Sequence, residues 1–150
     1  MKAFGTVFTD EMTISWNNGD GWTNPEFVPS DSLTLHPGAH VLHYSSTCFE
    51  GLKAFRHPDG SVKIFRLDQN IKRFAQSSDM LHLPALDTDL TQQMIIDAVA
   101  KFADQVPDAP GSLYIRPTHM GTDPAVGKAA APSATSVQYV LLSPVGDYFS

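Results

Sequence analysis

The stretch TCFEGLKAFRHPDGSVKIFRLDQNIKRFAQSS, residues 47–78, decides the fold class. Its first ten residues, Thr47–Arg56, read as a strand. Pro58-Asp59-Gly60 is a turn signal. Ser61–Arg66 reads as a returning strand, so the segment opens with a β-hairpin. Past Arg66 the period changes. Ile71, Phe74, Ala75 and Ser78 stand at i, i+3, i+4 and i+7, one face of a helix. Asp68 is the expected N-cap, and Pro84 bars the helix beyond Leu83. A second helix is expected over residues 90–106. Asp89 would cap it, with Gln92 completing a capping box. Met94, Ile95, Ala98, Val99 and Phe102 form its apolar stripe, and Pro107 ends it. Strands resume at Ser112–His119 and Thr135–Ser143. Upstream, residues 13–17 alternate as a strand and Asn18–Gly21 supplies a turn. Pro25, Pro29, Pro37 and Gly38 make residues 25–40 irregular. A strand pair, two helices and a second strand pair imply an α+β domain: a mostly antiparallel sheet with two main helices packed on it. Repeated βαβ units are not indicated.

The chain has 150 residues, 42% of them hydrophobic and 17% charged, as a single globular domain does. The longest apolar run is Tyr139–Leu142, far short of a bilayer span. Met1–Thr6 lacks the apolar core of a secretory signal. Cys48 stands alone, so no internal disulfide and no multi-cysteine metal site can form. The cytoplasm is the expected compartment. The net charge is −6 and the cations are scattered. That argues against nucleic-acid and anionic-membrane partners, which select basic surfaces.

Several residues carry candidate chemistry. Arg66 ends a strand just before a helix, where a guanidinium beside backbone N–H groups suits an anion, phosphate above all. A surface arginine closing a strand is the plainer alternative. Tyr114 and Arg116 lie two apart on a strand and share a sheet face. Together they can receive a carboxylate, or they can simply be a solvated edge. Gly51 inside a strand marks close approach of another group or a bulge. Cys48 reads as a small buried residue rather than a reactive thiol. His36, His40 and His43 have helical spacing, but Pro37 and Gly38 break it. Capping and packing are expected of them, not metal binding. No phosphate-binding glycine loop and no nucleophile elbow is present.

Longer motifs add a family resemblance. Residues 42–56 (LHYSSTCFEGLKAFR) resemble the strand motif of branched-chain amino-acid aminotransferases, which are fold-type IV enzymes using pyridoxal 5′-phosphate. The likeness continues through Ser32–Gly38, Ile64–Asp68, Asn70–Arg73, Ser112–Pro117, Gly121–Pro124 and Ser143–Phe149, in one order over roughly residues 6–149. It is strongest to the larger, eukaryote-like subgroup. The resemblance implies that Arg66 grips the cofactor phosphate. Tyr44, Phe49 and Gly51 would line the substrate side of the pocket, and Tyr114 and Arg116 would help receive substrate carboxylates. Val126 would reach a partner subunit's pocket, whereas Lys128 stands where an aliphatic residue is expected.

The same resemblance implies transfer of the amino group of leucine, isoleucine or valine to 2-oxoglutarate, a role in amino-acid biosynthesis, and a homodimer. None of the six lysines matches the one that the family links to the cofactor. Residues 1–150 are therefore expected to be the amino-terminal small domain, with the large lysine-bearing domain absent from this chain. Alone, such a domain is expected to be inactive, to bind pyridoxal phosphate weakly or not at all, and to self-associate or be poorly soluble. The rival readings are another fold-type IV activity, D-amino-acid transamination or aminodeoxychorismate cleavage, and a non-catalytic domain binding small anions or a protein.

Overall fold

A computed structural model describes residues 3–146. Its elements are β1 (Glu11–Asn17), β2 (Glu26–Pro29), α1 (His40–Tyr44), β3 (Thr47–Phe49), β4 (Leu52–Arg56), β5 (Val62–Ile64), α2 (Leu67–Met80), α3 (Thr88–Lys101), β6 (Ser112–Gly121) and β7 (Ser136–Val145). Seven strands form one sheet in the order β2-β1-β7-β6-β4-β5, with β3 also paired to β6. Every pairing is antiparallel. This is the α+β class expected. Asp147–Phe149, the end of the last quoted motif, lie outside the described residues.

Strand alternation divides the sheet into two faces. Leu52, Ala54, Leu113, Ile115, Val140 and Leu142 point to one side and are buried against Ile71, Met94, Ile95, Ala98 and Val99 of α2 and α3. The other face has its own smaller core, Met12, Ile14 and Val137, covered by Leu33 and Leu35. The rest of that second face, including Tyr114 and Arg116, has no described helix over it, and the candidate site lies there.

The elements differ from the sequence expectation in four places. The segment 47–56 is two strands, not one. Both keep a single register on β6, with Phe49 opposite Thr118 and Leu52 opposite Ile115. The break lies opposite Pro117, which has no N–H to give, and one bond remains there, from Glu50 N–H to Pro117 O at 3.0 Å. Gly51 is therefore no bulge. Second, residues 25–40 contain β2, an edge strand, where prolines are tolerated. Third, α2 is entered through Arg66, which holds φ 54° and ψ 41°; Asp68 sits in the first turn instead of capping. The chain must bend sharply on leaving β5, and Arg66 takes that bend. Fourth, α3 is capped by Asp87, whose carboxylate accepts from Leu90 N–H at 3.2 Å, so the box of Asp89 and Gln92 does not form. Thr91 lies on the buried face of this helix, where its hydroxyl donates to Gln138 Oε1 at 2.7 Å. The helix ends at Lys101 and a 3₁₀ turn, Ala103–Gln105, follows.

Candidate functional site

Tyr114 is the centre of the uncovered face. Arg116 donates two bonds to its hydroxyl oxygen, from Nε (3.1 Å) and from a terminal nitrogen (2.8 Å). The guanidinium also lies over the Phe49 ring, 4.0 Å from its centroid. These contacts settle what the pair can offer. Guanidinium has five N–H groups and two are committed, so three remain. The phenol oxygen accepts twice and keeps its own proton to give. Both groups are thus free to donate, as a carboxylate requires.

Gly51 explains how the phenol lies where it does. A Cβ at this position would stand 2.5 Å from the Tyr114 hydroxyl oxygen and 3.1 Å from Cζ. The close approach signalled by a glycine in a strand is the approach of Tyr114 itself. Phe4 closes the other side, edge-on to Tyr114 at 5.0 Å between ring centroids.

Two hollows meet at Tyr114. One, of about 270 Å³, lies among Phe4, Phe8, Leu141, Ser143 and Arg116. The other, of about 320 Å³, lies among Gly51, Phe55, Phe65, Asn70 and Arg66. Arg66 therefore shares one hollow with Tyr114, and Arg116 shares the other, so Tyr114 is the wall between them. The Arg66 guanidinium rests 5.2 Å from the Phe65 ring centroid and has no carboxylate partner among the described residues. An exposed cation with free donors fits a phosphate group.

Tyr44 and Val126 form a separate cluster. The Tyr44 hydroxyl donates to Val126 O, and neither residue borders the two hollows. Lys128 turns back to Asp123 in its own loop, at 3.6 Å. The three histidines do not converge. His36 Nδ1 accepts from Gly38 N–H, His43 Nε2 meets Pro37 O, and His40 bridges Ser46 and Ala131. Among the described residues no group of side chains is arranged to hold a metal ion.

Titratable groups away from the uncovered face are structural. Cys48 is half-buried rather than buried, and burial raises its thiol pKa, with Ser78 partly opposing. It stays a thiol, hence a poor nucleophile. His119 is fully buried between Ser78 and Ser136, and burial lowers its pKa to about 4. Tyr139, on the same face as Arg116, has its pKa raised by burial against the lowering influence of Thr118 and Arg116, so its phenol stays neutral. Glu50, buried, receives two bonds from Arg73, both 2.7 Å, which tie α2 to the β3–β4 junction.

Sequence reasoning missed Phe4, Phe8, Leu141 and Ser143. Register carried a signal for the last two, since Leu141 stands opposite Arg116 and Ser143 opposite Tyr114. Nothing in the local pattern around Phe4 foretold its contact with Tyr114.

Comparison with known proteins gives one consistent result. No family model matches the chain. The cytosolic branched-chain-amino-acid aminotransferase of Mus musculus is 42% identical over 149 residues, covering 98% of this chain and 38% of its own length. Branched-chain-amino-acid transaminase 1 of Bacillus subtilis is 43% identical over 148 residues, covering 97% and 41%. Among solved structures, the T.th. branched-chain amino acid aminotransferase with pyridoxamine 5′-phosphate superposes with a TM-score of 0.71 at 26% identity, over 92% of this chain and 41% of that one. The same enzyme has been solved with N-(5′-phosphopyridoxyl)-L-glutamate and with 4-methylvaleric acid. The chain spans about two fifths of the length of these relatives. The matches extend over nearly the whole chain at 42–43% identity and the fold agrees, so the chain is homologous to about two fifths of the length of the branched-chain amino-acid aminotransferases.

Proposed function

We propose that residues 1–150 act as the small domain of a branched-chain amino-acid aminotransferase, moving the amino group of leucine, isoleucine or valine to 2-oxoglutarate with pyridoxal 5′-phosphate. The observation that supports this best is the shared wall at Tyr114 between Arg66 and Arg116. It brings a phosphate-type receptor and a carboxylate-type receptor to one cleft edge. Arg66 holds the cofactor phosphate. Arg116 and Tyr114 donate to the distal carboxylate of 2-oxoglutarate. Phe49, stacked under Arg116, gives the apolar wall that a branched aliphatic side chain needs. Gly51 keeps Tyr114 seated. The bound cofactor supplies the electron sink on which the amino group changes carrier. The uncovered face packs on a cofactor-bearing domain, a second copy completes a homodimer, and the protein works in the cytoplasm in amino-acid biosynthesis. No described helix is long and apolar enough to cross a membrane.

Titration of the cofactor-free full-length enzyme with pyridoxamine 5′-phosphate and with pyridoxamine, which lacks the phosphate, tests the reading. Arg66→Gln is expected to weaken the phosphorylated form ~10- to 100-fold, the worth of a charged hydrogen bond, and to leave pyridoxamine unchanged. Equal affinity of wild type and variant for pyridoxamine 5′-phosphate would remove Arg66 from the site.

A further inference from the structure

The connection between β6 and β7, residues 122–135, contains no helix or strand, yet it is held in place. At its base Thr122 N–H donates to Thr135 O at 3.0 Å, and Ser133 Oγ accepts from Asp123 N–H at 3.1 Å. Its outer part is fastened to α1. Asp123 O accepts from His40 N–H at 3.0 Å, Val126 O accepts from the Tyr44 hydroxyl, and Ala131 O lies 3.0 Å from His40 Nε2. Two residues one helical turn apart thus hold three carbonyls spread over nine positions of loop.

His40 is the hub. A carbonyl only accepts, so Nε2 carries the ring proton. Nδ1 then accepts from Ser46 Oγ–H, 2.7 Å away. The ring is buried and lies 5.0 Å from the Tyr44 ring, centroid to centroid and tilted by 56°; Tyr44 is the residue that holds Val126. Val126 is left 63% exposed at the crest of the loop. An unfastened loop of this length would sample many crest positions. An apolar wall discriminates between side chains only when its atoms are fixed to a fraction of an ångström.

We infer that His40 is a positioning residue for side-chain selection. It fixes the 122–135 loop, partly through Tyr44, so that Val126 presents a rigid apolar wall to the substrate side chain. Tyr44 then contributes through Val126, whose carbonyl it holds. The inference rests on the proposed aminotransferase reading and on the family resemblance by which Val126 reaches the pocket of a second copy.

The test uses the holoenzyme and the ratio of kcat/KM for leucine to that for alanine. Val126→Ala, the reference variant, is expected to lower this ratio ~10-fold, within the range that one missing methylene group or two commands. His40→Ala is expected to lower it ~5-fold or more, with faster amide exchange over 122–132 and no change in affinity for pyridoxamine 5′-phosphate. His40→Gln, whose amide can still donate to Ala131 O, should recover most of the ratio. Should His40→Ala fail to fold, Ser46→Ala, which removes the bond to Nδ1, carries the same expectation at smaller amplitude. If Val126→Ala lowers the ratio while the His40 and Ser46 variants leave it intact, the inference is overturned and the aminotransferase reading stands. If Val126→Ala itself leaves the ratio unchanged, the assignment of Val126 to the pocket fails, and the inference with it.

Discussion

Lowering the pH from 7.5 to 4.5 should destabilise the fold through one identifiable residue, His119. Its ring has no solvent exposure and contacts the ring systems of Trp22 and Phe74, with centroids 5.4 and 6.3 Å away. Ser78 Oγ gives its proton to Phe74 O at 3.0 Å, so it must accept from His119 Nδ1–H at 2.8 Å. Nε2 then accepts from Ser136 Oγ at 2.8 Å, and the neutral ring is fully satisfied. Burial carries the folded pKa down from 6.5 to about 4. At 1.36 kcal/mol per unit this is worth roughly 3 kcal/mol. The sign follows from linkage. The unfolded chain takes up the proton first, so the stability is fully present above pH 6.5 and is lost as pH falls from 6.5 towards 4. By pH 5 about 2 kcal/mol should be gone. Urea unfolding of wild type and His119→Gln at pH 7.5, 6, 5 and 4.5 isolates the effect, because all other carboxylates and histidines cancel in the difference. The stability difference between the two proteins should shrink by roughly 2 kcal/mol or more across that range. A difference that stays constant within 0.5 kcal/mol, about the limit of additivity, would show that His119 is not held neutral by burial.

Two further outcomes follow from packing. Gly51→Ala places a methyl group 2.5 Å from the Tyr114 hydroxyl oxygen, so a double-mutant cycle with Tyr114→Ala should show a coupling of about 1 kcal/mol by urea unfolding; strict additivity would mean that the ring gives way freely. Phe74 is 1% exposed, and Phe74→Ala should cost about 3–5 kcal/mol, read as a drop in the urea midpoint at unchanged m-value.

Periodicity carried the helix-facing core because that core depends only on spacing. Ile71, Phe74, Met94, Ile95, Ala98 and Val99 are all buried as their positions implied. Element boundaries depend instead on competition between near-equal signals. Asp87 and Asp89 are both competent caps, and the helix that Asp87 caps also carries Thr91, whose partner Gln138 lies forty-seven residues away. No window around Asp89 contains that information. The candidate site was legible where chemistry and parity coincide, as at Tyr114 and Arg116. Gly51 was legible as a place of close approach, and the approaching group in the fold is Tyr114 on a neighbouring strand. Tyr44 illustrates the limit. Its phenol is spent on the carbonyl of Val126, eighty-two residues further on, so only the fold reveals that it holds a loop.

The uncovered sheet face suits anions because it is aromatic, not despite it. Phe4, Phe8, Phe49, Phe55 and Phe65 are five of the nine phenylalanines, and all five are exposed there. Exposed apolar side chains are ordinary when scattered. These are grouped, and two of them carry a guanidinium at the ring, Arg116 over Phe49 and Arg66 beside Phe65. A ring face attracts the cation electrostatically and strips water from one side of it. The remaining N–H groups lie in the guanidinium plane and point outward along its edge. An anion arriving at that edge meets donors that are already oriented and partly dehydrated, so less solvent must be displaced and the bonds form in a lower dielectric. Replacing Phe49 by leucine would keep the surface apolar but lose this effect. The prediction is therefore that, in the full-length enzyme, Phe49→Leu raises the KM for 2-oxoglutarate more than the KM for leucine, and a loss confined to leucine would refute the argument.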